Sequence, residues 1–215
     1  MKYNYKTYWR KTGLKGKWGN IFLNLLSNYN PKKVLEIGVF CGVTARNTCD
    51  LLHKKNENNF SYIGIDLFGG KKSDNNDEIE PTFLKNQKFS NPLKNIYYNY
   101  ILKENLNSIV SVNKLLKKYE KNVRLIAGDT NEILRGLDLK NIDFTFLDGG
   151  HSYQTVMNDL TILYKSMKNQ KKIILCDDYG SESYIAEVEK AINDFTKQNN
   201  LKLNLIENRF AEIVT

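Results

Sequence analysis

Apolar residues recur along this chain with two periods that take turns. Residues 34–37, 60–66, 123–127, 142–148 and 171–179 each hold a short, largely β-branched or aromatic run. Runs of that length bounded by glycine or polar residues predict buried strands. Between them, residues 21–29, 43–54, 102–119, 154–167 and 182–199 place apolar side chains three and four apart, as amphipathic helices do. The first helix stops before Pro31, which cannot continue it. Strands alternating with helices predict an α/β fold, a doubly wound Rossmann-like sheet that is mostly parallel. Residues 201–207 and 210–214 alternate in the strand manner around a Glu207-Asn208-Arg209 turn. They predict an antiparallel closing hairpin and a seven-stranded sheet.

One stretch organises the rest. The first strand carries Glu36 and stops at Gly38, and Gly42 opens the helix behind it. Strand, glycine turn and helix form the ligand-binding unit of doubly wound folds. A dinucleotide site wants G-x-G-x-x-G, whose second glycine lets the backbone approach a pyrophosphate. Phe40 stands at that position, which disfavours a nicotinamide or flavin cofactor.

Ligands of open α/β sheets bind outside the carboxyl ends of the strands. The strand ends here hold Glu36, Asp66, Asp129, Asp148, Asp177 and Asp178, with His151 close behind. Asp66 is placed to accept hydrogen bonds from both hydroxyls of a ribose. Asp129 either contacts an adenine amino group or, with Thr130, caps the next helix. Asp148, Asp177 and Asp178 come from neighbouring strands, and clustered carboxylates repel unless a cation or proton neutralises them. Hard oxygen ligands suit Mg²⁺, Mn²⁺ or Ca²⁺. The plainer alternative is one carboxylate binding substrate without metal while the others cap helices. His151 follows a glycine pair and is placed to take a hydroxyl proton as a general base. His53, amid Lys54 and Lys55, reads as a surface residue.

At 215 residues the chain suits one domain, 1–215, with an N-terminal extension and helix at 1–30. Residues 69–100 interrupt the alternation with a polar stretch and two prolines, and read as a lid-like insertion. The aromatics of the first 20 residues are expected to pack on the domain. The formal charge of +8 is spread over single lysines, the pattern of a solvated surface. Cys41, Cys49 and Cys176 lack the spacing of a zinc site or disulfide framework, which fits a reducing compartment. No apolar run nears the ~18 residues of a membrane span and no stretch reads as a signal peptide. The expectation is a cytoplasmic protein with a small-molecule or glycan substrate and no nucleic-acid partner, its oligomeric state left open.

Glu36-x-Gly38-x-x-x-Gly42, the stretch from Tyr62 to Phe68, Gly128-Asp129-x-x-Glu132-x-Leu134, Leu147-Asp148-Gly149-Gly150-His151-Ser152-Tyr153 and Cys176-Asp177-Asp178-Tyr179 together resemble the class I S-adenosylmethionine (SAM) methyltransferases. The resemblance is to the branch with macrocin-type and cephalosporin-hydroxylase-related sugar O-methyltransferases, and it covers about residues 17–215. It implies SAM held by Glu36, Gly38, Gly42, Thr44, Asp66, Leu67, Asp129, Thr130 and Asp148. It also implies Mg²⁺ on Asp148, Asp177 and Asp178, and a sugar hydroxyl as acceptor. Some members carry a candidate base, Asp, where this chain has Gly150; His151 takes its place here, with Asp148 as the second catalytic residue. Amino-group methylases of nucleic-acid bases usually show Asn/Asp-Pro-Pro-Tyr after the fourth strand, and Asp148-Gly149-Gly150-His151 stands there instead. A metal-independent small-molecule methyltransferase, an RNA ribose methylase and a non-catalytic SAM- or nucleotide-binding module are the alternatives.

Overall fold

A computed structural model describes residues 3–69, 87–167, 172–180 and 186–215. The strands are β1 (Lys33–Ile37), β2 (Ser61–Asp66), β3 (Val123–Ala127), β4 (Phe144–Leu147), β5 (Ile173–Cys176), β6 (Lys202–Ile206) and β7 (Phe210–Val214). They form one seven-stranded sheet in the order β3-β2-β1-β4-β5-β7-β6. β1 to β5 pair in parallel, and β7 runs antiparallel to both β5 and β6. The strand order reverses between β1 and β4, which opens a crevice at their carboxyl ends.

The helices are α1 (Lys17–Tyr29), α2 (Val43–Asn56), α3 (Pro92–Ile96), α4 (Ile109–Leu116), α5 (Thr130–Ile133), α6 (Tyr153–Met167) and α7 (Ala186–Gln198). Successive strand residues point to opposite faces, so each strand feeds two cores. Val34, Phe144, Phe146, Leu175 and Phe210 pack with α1, α2 and α4 on one face. Leu35, Ile37, Leu147, Ile174 and Ile213 pack with α6 and α7 on the other. Both faces are covered, which is why the parallel strands read as continuous apolar runs. Glu36 shares its parity with Val34 and therefore points into the α1/α2 side.

The N-terminal segment is stitched to α1 and α2. Tyr5 N donates to Asn20 Oδ1 at 2.8 Å, and Lys6 N donates to Asn47 Oδ1 at 2.9 Å. The Tyr8 hydroxyl donates to Asp50, and Arg10 reaches the carbonyls of Cys41 and Ser111. Tyr3, Tyr5 and Trp18 pack on the core, as expected, while Trp9 stays partly exposed against Tyr97 and Tyr98.

One sequence expectation changes. The helix expected over 102–119 starts only at Ile109, where the Ser108 hydroxyl caps it by accepting from Ser111 N at 3.2 Å. Lys103 takes a left-handed φ of 48°, which breaks the helical path. Leu106 mimics the helical period because it is buried against Cys41 and Tyr98. Of the expected lid, residues 70–86 lie outside the described residues. Residues 87–101 are ordered as α3 and a π-helical turn (Tyr97–Ile101), tied by Gln87, which bonds Asn99 Oδ1, Glu104 O and Leu106 N.

Glu207 and Asn208, both at φ 55°, are the central residues of the turn that leads through Arg209 from β6 to β7, closed by Arg209 N donating to Ile206 O at 3.2 Å. Hairpin turns with two left-handed residues favour Asn-Gly. Replacing Glu207-Asn208 by Asn-Gly is expected to stabilise the chain by about 1 kcal/mol, read as a melting shift of roughly 2–4 °C. The Lys17–Glu207 ion pair lost in that change is solvent-exposed and contributes little.

Candidate active site

The crevice is shaped by backbone contact. Gly38 ends β1 at φ 91°, and a Cβ there would collide with the Asp148 carbonyl group. Asp148 N donates to Ile37 O at 2.8 Å, and Gly38 N donates to Ile65 O at 2.9 Å. Only glycine lets β1, β2 and β4 end so close together. Gly42 acts differently. A Cβ there would meet Val112 at 2.8 Å, so Gly42 seats α2 on α4. Three non-glycine residues at the same sheet edge are left-handed, namely Phe40 (φ 50°), Phe68 (φ 47°) and Asp178 (φ 56°). Backbone strain held at one edge is a mark of ligand sites.

Glu36 is 1% exposed beneath the glycine turn. Its Oε2 accepts from the Tyr62 hydroxyl at 2.8 Å, and its Oε1 has no hydrogen-bond partner among the described residues. Burial pushes its pKa up to about 8, against the pull of Tyr62. Asp66 accepts from Phe40 N and Phe68 N, both at 2.7 Å, and so welds the end of β2 to the turn. Thr44 is buried, with its hydroxyl 2.8 Å from that of Tyr5, which also lies 3.1 Å from the Thr12 hydroxyl. Leu67 follows Asp66 at the same edge and is half-buried. Asp129 caps α5 by accepting from Asn131 N at 2.9 Å, and the Thr130 hydroxyl donates to Asp159 at 3.1 Å. Asp129 therefore takes the capping role.

Asp148, Asp177, Asp178 and His151 converge at the ends of β4 and β5, around one small recess. Asp148 is held well above the usual carboxylate range by burial and then by Asp177 and Asp178, with Arg209 opposing. Asp177 is 2% exposed and takes a two-pronged grip from Arg209, whose Nε and Nη2 donate to Oδ1 and Oδ2, each at 2.7 Å. Burial still pushes Asp177 up to about 6. Asp178 Oδ2 lies 3.3 Å from His151 Nε2, and its Oδ1 is 3.8 Å from Arg209 Nη2. His53 is remote, on α2, beside the Glu57 carbonyl and the Tyr119 ring.

Sequence reasoning missed Arg209, Tyr5 and Tyr62. The signal for Arg209 was the hairpin: Cys176 pairs with Ala211 in the antiparallel β5–β7 register. Residues just after β5 therefore lie opposite those just before β7. Tyr62 shares the Glu36 side of the sheet through the β1–β2 register, in which Val34 pairs with Tyr62. Nothing local marks Tyr5.

The residues fit SAM. The orphaned Glu36 oxygen, the bare Gly38 cradle, the Thr44 hydroxyl and the half-buried Asp66 and Asp148 carboxylates lie on the turn and strand ends around one crevice. The expected Mg²⁺ set fits less well. Both Asp177 oxygens are already engaged by a guanidinium, and among the described residues no group of three His, Cys, Asp or Glu converges as a metal cage. The three expected ligands, Asp148, Asp177 and Asp178, do lie together, and the cation that meets them within the fold is Arg209.

Fold and crevice together define a class I SAM-dependent methyltransferase. A family model described as a methyltransferase domain matches residues 35–179, and the chain belongs to that family. The O-methyltransferase NovP superposes with a TM-score of 0.66 at 17% identity, covering 92% of this chain and 80% of NovP. The SAH-bound methyltransferase PaMTH1 of Podospora anserina gives 0.56 at 14% identity, covering 93% and 79%. CalS11, a TDP-rhamnose 3'-O-methyltransferase of calicheamicin biosynthesis, gives 0.56 at 16%, covering 90% and 77%. An uncharacterized protein of Acanthamoeba polyphaga mimivirus, R132, is 40% identical over 52 residues, which span 24% of this chain and 23% of that protein. Among the described residues no helix is long and apolar enough to cross a membrane.

Glu36 gives a pH-dependent prediction. Below its ordinary pKa of 4.5 the residue is protonated in folded and unfolded chains alike. Between there and about 8 only the unfolded chain ionises, so this group lowers stability as pH rises. Glu36→Gln should therefore gain stability on the wild type from pH 5 to pH 9, by roughly 2–4 kcal/mol, in urea titrations of the ligand-free protein. Gly38→Ala should lose several kcal/mol and SAM binding together, measured by the same titrations and by calorimetry.

Proposed function

We propose that the protein transfers a methyl group from SAM to a hydroxyl of a sugar-containing small molecule, with His151 as general base. The observation that carries this reading is the His151–Asp178 pair beside Asp148, around the small recess where β4 and β5 end. When bound, SAM supplies an electrophilic methyl on its sulfonium. The chain must place an acceptor oxygen in line with that methyl and remove its proton. Glu36, Gly38, Thr44, Asp66 and Asp148 are the residues that would hold the cofactor. With Nε2–H donating to Asp178, the imidazole keeps its lone pair on Nδ1 and a fixed ring orientation, as in other His–carboxylate pairs. Most of the acceleration in such a displacement comes from alignment, and a positioned base adds about 10²–10⁴-fold.

The acceptor class draws support from the neighbouring cavity of about 570 Å³. It opens beside Phe40, Cys41 and Gly69 and is lined by the Phe89 and Tyr98 rings and by amides such as Asn99 and Asn105. Aromatic faces with fixed amides suit a hydroxyl-rich ring with an apolar face. NovP and CalS11, similar in fold, are an O-methyltransferase and a nucleotide-sugar O-methyltransferase by description. Three buried free thiols are consistent with a reducing, cytoplasmic setting.

The reading is tested by labelled methyl transfer from SAM to a panel of sugars, nucleotide sugars and RNAs, with and without excess chelator. Transfer to a sugar hydroxyl, unchanged by chelator, is expected. Transfer to RNA that weakens steeply with salt would instead favour a ribose methylase, and loss of activity in chelator would restore the Mg²⁺ expectation. His151→Ala should cut kcat by about 10²–10⁴-fold while leaving SAM affinity within a few-fold by calorimetry. SAM binding with no transfer to any acceptor would reduce the protein to a binding module.

A further inference from the structure

We infer that Arg209 is the resident cation of the carboxylate cluster, a positioning residue that holds Asp177 and Asp178 so that Asp178 fixes His151, in the place where a divalent ion was expected. The inference rests on His151 being the base of the proposed reaction. Its structural part stands on contacts alone.

Arg209 is delivered to the site by the closing hairpin. The tight Glu207-Asn208 turn starts β7 directly behind it, and Tyr179 N donates to Arg209 O at 2.9 Å, which pins its backbone against the segment after β5. The guanidinium sits over the Trp18 and Phe210 rings, at 5.6 and 5.9 Å. Aromatic packing and a planar fork are what arginine offers and lysine does not. The fork directs two donors to Asp177 at 2.7 Å and brings Nη2 to 3.8 Å from Asp178. Asp178 in turn meets His151 Nε2 at 3.3 Å. The order of contacts is Asp177, Arg209, Asp178, His151, alternating in charge when the imidazole is protonated.

This arrangement competes with a metal ion. A divalent cation takes carboxylate oxygens as ligands, and Asp177 has both oxygens engaged. An ion at Asp178 would also sit against a guanidinium that cannot lose its proton. Removing the guanidinium should therefore do two things: release Asp178, and hence His151, and open the carboxylates to metal.

The experiment reads both without an acceptor, so its outcome is separable from the sugar assignment. Mn²⁺ is titrated into the full chain, with SAH present, and followed by electron paramagnetic resonance. The wild type should show no site tighter than about millimolar, and Arg209→Met should gain one. The chain has two histidines, so the His151 ring is readily assigned in long-range ¹H–¹⁵N spectra by comparison with a His151→Gln variant. Its Nε2 resonance should move in Arg209→Met while that of His53 stays. If Arg209→Met does not fold, Arg209→Lys serves: it keeps the charge and the metal exclusion but loses the fork, so the His151 resonance still moves. A stoichiometric Mn²⁺ site in the wild type that disappears in Asp148→Asn would overturn the inference. So would an unmoved His151 resonance in a folded Arg209 variant.

Discussion

Carboxylates brought together at the end of a buried sheet repel one another and lose their hydration, and every other feature of the crevice answers to that constraint. Each acidic group is met by a different partner. Glu36 has the Tyr62 hydroxyl and a raised pKa. Asp66 has backbone N–H groups of the turns after β1 and β2. Asp177 has a guanidinium and Asp178 an imidazole. Asp148 has the least compensation, since burial and two neighbouring acids raise its pKa and Arg209 opposes them from beyond Asp177. It is also half-buried at the crevice rather than sealed in the core. An undercompensated group facing a cleft is where a ligand gains most by binding.

The scaffold supplies this concentration of charge with only two charged residues, Glu36 and Glu212, in the interior of its central strands. Five parallel strands end on the same edge, so each brings an acid within two residues of its end to a common rim. The apolar layers on both faces fix those ends in register, and the close passage of Gly38 past Asp148 leaves no slack between β1 and β4. Left-handed Phe40, Phe68 and Asp178 are tolerated only because the strands behind them are over-determined by packing. The closing hairpin serves the same arrangement. It finishes the sheet and, through its register, returns a cation to the acids of β5.

The legible parts of the sequence were those where local pattern and global fold agree. All seven strands fell where the apolar runs placed them, because a strand buried on both faces has little choice of composition. The acids at the strand ends were legible for the same reason: a charge closing an apolar run has nowhere else to go. The helix over 102–119 was misread because Leu106 is buried by the insertion rather than by a helix face. Asp129 and Thr130 were read as a cofactor contact or a helix cap, and within the fold Asp129 caps α5 while Thr130 ties it to α6. A cap and a ligand contact use the same residue types, so spacing alone cannot separate them.

What the sequence determined by itself was the alternation of elements, the glycine turn and the inventory of acids at one rim, since these follow from periodicity and from residues only certain backbones accept. What the tertiary structure decided was which charge meets which. Arg209 is 32 residues from Asp177, and Tyr62 is 26 from Glu36. Partners so far apart are joined only by strand register, and register is set by the packing of the whole sheet.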